Sequence, residues 1–181
     1  SLSLSGKWAM YLSPVRFPLS GLTCLKEEKM PYIRSKAVEY AHKWAFSRNP
    51  KYLNYDGLGG DCTNFISQCI FAGGARMNYT PTYGWYYING NNKSPSWTGV
   101  EFLYNFLTKN KGVGPYGVAA ELHDIEPGDI IQLSFDGKNY THSLFVVQVG
   151  QPVPERVLIA THTADADNRP LASYKFTDYR C

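Results

Sequence analysis

The chain has 181 residues, of which 44% are hydrophobic and 18% charged, and a formal net charge of +3 spread along its length. That suffices for one domain with a real core and excludes a low-complexity or disordered chain. The scattered basic residues give no nucleic-acid footprint, and no run approaches the ~18 apolar residues of a membrane-spanning helix.

Residues 1–30 show no helical period and read as an arm or linker; they lack the charged and apolar regions of a signal peptide. A chain that opens at Ser1 and stops at Cys181 after a strand-like run reads as a piece of something longer. From Pro31, suited to a first helical turn, Ile33, Ala37, Tyr40, Ala41, Trp44 and Ala45 recur at helical spacing until Asn49-Pro50 stops them. A second helix opens at Gly59-Gly60-Asp61, with Asp61 as N-cap. Cys62, Phe65, Ile66, Cys69 and Ile70 form one apolar stripe, and Gly73-Gly74 ends it. Residues 75–97 read as a long loop rich in Tyr, Trp, Asn and Gly. Thr98 and Glu101 then make a capping box for a third helix carrying Val100, Leu103, Tyr104 and Leu107. Strands are expected at 130–135, 142–149, 157–162 and 174–179, with Asp136-Gly137 as a tight turn. Helices first and strands afterwards predict an α+β domain over residues 31–181, its helices packed on a mostly antiparallel sheet.

None of the four cysteines, Cys24, Cys62, Cys69 and Cys181, falls in a C-x-x-C pair, which excludes a zinc ribbon or dithiol motif; Cys24 and Cys181 pair only if the two ends meet. Cys62 stands at the first turn of the cleanest helix, where unpaired N–H groups and the helix dipole lower a thiol pKa, and its own N–H can face an oxyanion. Cys69, two turns on, reads as core. Of the four histidines, His42 lies on a polar helix face and His123 in a loop, whereas His142 begins a strand and His162 ends one. A hairpin centred on residue 152 puts His142 directly opposite His162, as a base and its orienter. The competing reading of the same residues is a zinc site of His142, His162 and Asp165, which leaves Gly-Gly-Asp-Cys without a purpose. Tyr83, Trp85, Tyr86, Tyr87 and Trp97 either wall a cleft or pack a long loop onto the sheet.

The order of Cys at a helix start, His at a strand start and a polar residue on the next strand resembles papain-like cell-wall hydrolases of the NlpC and CHAP type. Gly60-Asp61-Cys62-Thr63-Asn64-Phe65 resembles their Asp-Cys-Ser-Gly signature, and Gly128-Asp129-Ile130-Ile131 the strand before their catalytic His. Tyr40-Ala41-x-Lys43-Trp44-Ala45, Gly59-Gly60-Asp61-Cys62-Thr63-Asn64-Phe65-x-Ser67-Gln68-Cys69, Ser96-Trp97-Thr98-Gly99, His142-Ser143 and Thr161-His162 together are similar to the family called the putative amidase domain. The resemblance covers residues 31–181 and implies a papain-like fold, Cys62 as nucleophile, His142 as general base and His162 as third residue, with Asp165 and Asn168 as alternatives. In some relatives the positions of Asp61 and Thr63 hold the substrate's free amine, although an N-cap role explains Asp61 equally well. It further implies hydrolysis of a peptide or amide bond, in bacterial peptidoglycan, outside the cell or at its wall, with no metal and no cofactor. The alternatives are a degenerate wall-binding module and an acyltransferase.

Overall fold

The nine residues Cys62–Ile70 are buried without interruption, which makes the helix that carries them the centre of the molecule rather than one of its faces. In the computed structural model residues 11–13 and 31–181 are described. In chain order the elements are β1 (Tyr11–Ser13), α1 (Arg34–Trp44), α2 (Cys62–Ala72), β2 (Tyr87–Asn89), β3 (Asn92–Lys93), α3 (Pro95–Thr98), α4 (Val100–Lys109) and β4 (Gly114–Tyr116). After them come β5 (Ile130–Ser134), β6 (Tyr140–Val149), β7 (Val157–Thr161), β8 (Ala166–Pro170) and β9 (Asp178–Arg180). The last five strands form one antiparallel sheet in the order β8-β7-β6-β5-β9, and α1, α2 and α4 pack on its central strand β6. The class is α+β, as the sequence predicts. No helix among the described residues is long and apolar enough to cross a membrane. Of the expected arm 1–30, only Tyr11–Ser13 lies within the described residues, paired with β4. Cys24 lies outside them, and Cys181 carries a free, buried thiol.

The stripe expected on α2 is only part of its burial. Its polar residues are buried too, each on a named partner: Asn64 Oδ1 accepts from Trp97 Nε1 at 3.0 Å, Ser67 Oγ from Trp85 Nε1 at 3.0 Å, and Gln68 Oε1 from Tyr40 Oη at 2.6 Å. A helix hydrophobic on one side can sink completely when every polar group on the other is matched. Both tryptophans are fully buried, so in the 75–97 segment these two aromatics are packing rather than cleft wall, while Tyr83 stands exposed.

Several expected boundaries move. α1 begins at Arg34, so Pro31 lies ahead of it. Residues 75–97, expected as loop, hold the β2–β3 hairpin and the start of α3. Thr98 closes α3 and Gly99 takes the N-cap place of α4 with no side-chain cap, so the capping box does not form. The run at 174–179 contracts to β9, and the strand missed is β8, Ala-Asp-Asn-Arg-Pro, an edge strand whose polar residues carry no strand signal. The most consequential change is one of register. β6 pairs with β7 as Phe145↔Ala160 and Val146↔Ile159, with an irregularity before Val149↔Val157. Continued toward the strand ends, that register sets His162 opposite Ser143, not His142. A slip of one residue moves a side chain to the other face of a sheet, so His142 and His162 do not face each other.

Candidate active site

The approach to Cys62 is built on left-handed backbone. Gly59 and Gly60 have φ of +101° and +104°, which suits glycine alone, and a Cβ on Gly60 would meet Thr163 Oγ1 at 3.3 Å. That same hydroxyl accepts the N–H of Asp61 at 3.1 Å. Asp61 occupies the N-cap position of α2 but makes no side-chain cap. Its carboxylate is spent elsewhere: Oδ1 accepts from Tyr55 N and Asn64 Nδ2, each at 2.8 Å, and Oδ2 meets His162 Nδ1 at 2.5 Å. Arg48 Nε stands 3.5 Å away, and Arg48 also bonds Asp56 and Asp165. Burial opposes ionisation of Asp61 most, yet the bonds from His162, Tyr55 and Asn64 together hold its carboxyl below the ordinary value. With 0% exposure and both oxygens engaged, the side chain of Asp61 is not presented to a substrate amine.

Cys62 follows, 7% exposed. Its sulfur lies 3.8 Å from Thr63 Oγ1, and the backbone amide of Ser143 is near enough to favour its thiolate. Thr63 Oγ1 is itself 3.0 Å from Ser143 Oγ, to which Gln132 Nε2 donates at 3.2 Å, so Thr63 is also a buried link between α2 and the sheet. Burial pushes the Cys62 thiol up despite the bonds from Ser143 and Thr63, so the expected lowering at the helix start does not prevail. Burial likewise pushes the fully buried Cys69 thiol well above its ordinary value. The N–H of Cys62 has no acceptor among the described residues.

His142 sits opposite Leu133 on β5, one residue before Ser143. It is 8% exposed, with the Tyr174 ring 5.9 Å from its own, centroid to centroid. Among the described residues no hydrogen bond engages either ring nitrogen. Burial first and the charge of Arg169 second bring its pKa down to about 4, which leaves a neutral imidazole with a free acceptor.

His162 is bound on both sides. Nε2 donates to the carbonyl of Trp44 at 2.7 Å, Nδ1 meets Asp61, and the ring stacks on Phe65 at 4.1 Å. It therefore does not orient His142 by direct contact. The other candidates for that place are elsewhere too: Asp165 pairs with Arg48, and Asn168 is an exposed residue at φ +52°. His142, His162 and Asp165 do not converge, and no three His, Cys, Asp or Glu among the described residues are grouped to hold a metal. His42 pairs with Asp167 at 2.8 Å and His123 with Asp124 at 3.3 Å, both away from the cysteine.

The residues that sequence reasoning passed over are Arg48, Gln132, Ser143, Arg169 and Tyr174. Gln132 and Ser143 follow, at a distance, from strand alternation beside His142; the other three have no local signature.

Comparison with known proteins agrees with the motif reading. "Uncharacterized protein YhbB" of Bacillus subtilis (strain 168) is 36% identical over 118 residues, which are 64% of this chain and 37% of that protein. "Uncharacterized protein YjcM" of the same strain is 28% identical over 102 residues, 56% of this chain and 22% of that one. The chain thus matches well under half the length of either relative. No solved structure matches. Residues 31–180 match the putative amidase domain, the segment that holds Cys62, His142 and the Asp61–His162 pair, and the chain belongs to that family, whose name points to amide hydrolysis.

Proposed function

We propose that residues 31–181 form a papain-like cysteine hydrolase domain that cleaves a peptide or amide bond of bacterial peptidoglycan, outside the cell or at its wall, without a metal or cofactor. The observation that carries this reading is a thiol at the first turn of α2 linked through Thr63 to Ser143, the strand neighbour of a histidine whose ring nitrogens have no hydrogen bond among the described residues. A raised thiol and a depressed imidazole make a neutral pair, so the proton moves during attack rather than before it. His142 takes the thiol proton as the sulfur of Cys62 bonds to the carbonyl carbon. The unpaired N–H of Cys62 then faces the oxyanion. Collapse expels the amine with the proton from His142 and leaves a thioester. Water, deprotonated by the same imidazole, hydrolyses it and restores the thiol. Asp61, Thr63 and His162 hold the first turn of α2 in this scheme and do not touch the substrate.

The test is mass spectrometry of purified peptidoglycan digested with the protein and with its Cys62→Ala variant. New amide-cleavage products in the first digest only, abolished by thiol alkylation and unchanged by chelation, support the reading. Identical digests would point to a wall-binding module, and products carrying an added amine to acyl transfer.

A further inference from the structure

Arg169 is the charged group that bears on His142, and among the described residues no carboxylate pairs with it. It lies on β8 opposite Ile159, next to β7, and its guanidinium sits 3.7 Å over the ring of Tyr174, the same ring that approaches His142 at 5.9 Å. Ser173 fixes it from behind: Nε donates to Ser173 Oγ at 2.7 Å and Nη2 to Ser173 O at 3.4 Å. Among the described residues no hydrogen bond from Nη1 is found, and a stacked, pinned guanidinium loses little freedom on meeting a carboxylate, which it binds with two parallel bonds.

The position is costly for a base. A base must become a cation as the thiol proton arrives, and an uncompensated guanidinium beside it opposes that step. An anion bound on the guanidinium would remove the opposition. We propose that Arg169 is a specificity-determining residue, an anion subsite beside His142 that takes a carboxylate of the substrate close to the scissile bond. The inference rests on the reading of Cys62 and His142 as the reacting pair, and it narrows the substrate class to peptides or amides bearing a free carboxylate near the cleaved bond. Occupancy then does two things, positioning the carbonyl and easing protonation of His142.

Two reagents of the same size separate this from a purely structural clamp of β8 on the Leu171–Ser173 turn. Cys62 in the intact protein is alkylated with iodoacetate and with iodoacetamide, and the ratio of the two rates is compared with that of glutathione. The expected ratio favours iodoacetate relative to glutathione, falls by about threefold or more in Arg169→Gln, and is largely kept in Arg169→Lys. An unchanged ratio in folded Arg169→Gln, with Cys62 still reactive toward both reagents, overturns the subsite and leaves the catalytic pair standing. A second measurement does not depend on the thiol. In Cys62→Ala, N-acetylglycine should raise the titration midpoint of the His142 ring by NMR while N-acetylglycinamide should not, and Arg169→Gln should abolish the difference. Equal responses to the acid and the amide overturn the proposal.

Discussion

His162 joins the last residue of α1 to the residue before Cys62: one ring nitrogen donates to the Trp44 carbonyl at 2.7 Å and the other meets Asp61 at 2.5 Å. The Trp44 carbonyl also accepts from Ser47 N at 3.2 Å and Asp61 Oδ1 from Tyr55 and Asn64, so the imidazole adds a second donor to the carbonyl and engages the remaining carboxylate oxygen, Oδ2. Its influence on the cysteine passes through the backbone at 61–62.

Removing His162 should therefore cost stability first. His162→Ala is expected to lower the unfolding free energy in urea by about 1.5–3 kcal/mol, because the buried Asp61 carboxylate loses a donor while keeping Tyr55, Asn64 and Arg48. The loss in the Asp61→Asn/His162→Ala double variant should fall short of the sum of the single losses by more than about 1 kcal/mol. The His142 ring resonances should not move in folded His162→Ala. A shifted titration of His142 would mean that His162 orients the base after all.

Cys62 should react with iodoacetamide much faster than Cys69, since Cys62 is 7% exposed at the helix start and Cys69 is sealed. Because burial raises the Cys62 thiol, its rate should keep climbing with pH beyond the ordinary thiol range of about 8.5 rather than plateau near neutrality. Peptide mapping of the folded protein at several pH values reads both effects. A plateau below pH 7 would mean a preformed thiolate.

The acid limb of kcat/KM should lie near pH 4. His142 acts as a base only when neutral, and its pKa is depressed to about 4, so activity should persist through pH 5 where an ordinary histidine is charged. Loss of activity centred near 6.5 would exclude this His142 environment.

Two buried groups should oppose each other in the pH dependence of stability. His142 titrates at about 4 in the fold, below its ordinary 6.5, so the unfolded chain binds the extra proton and stability falls as pH drops through that window, by at most about 3 kcal/mol. Asp129 is pushed up to about 6, chiefly by burial and despite the Arg34 pair at 2.7 Å. Its stabilising contribution is complete below its ordinary value of about 4 and is lost as pH rises through 6, by a similar amount. Between pH 4 and 6 the two slopes offset. Urea titrations should show a shallow dependence in the native chain, rising stability toward acid in His142→Gln, and falling stability in Asp129→Asn.

Much of this architecture is legible in the sequence. The Gly-Gly-Asp-Cys entry marks the start of α2 because glycine alone suits the backbone there, and the order of helices then strands gives the class. The place of His162 is not legible, since it depends on a single-residue shift in the β6–β7 register that turn position alone does not fix. Asp61 looks like an N-cap because an acidic residue before a helix usually is one. Only the fold brings His162, Tyr55 and Asn64 to its oxygens. Arg169 lies on an edge strand without strand signal, so neither its stacking on Tyr174 nor its nearness to His142 follows from spacing.

The unbroken burial of Cys62–Ile70 has a consequence for how the protein fails. The buried stretch Cys62–Ile70 cannot fray separately from the elements around it, so its amides should exchange with deuterium only by opening of the whole domain, while the last turn with exposed Phe71 exchanges sooner. The cysteine at its first turn shares that fate. Heating should therefore produce no folded but inactivated species: thiol reactivity toward the small reagents and the near-ultraviolet signal of buried Trp85 and Trp97 should change together, in one transition.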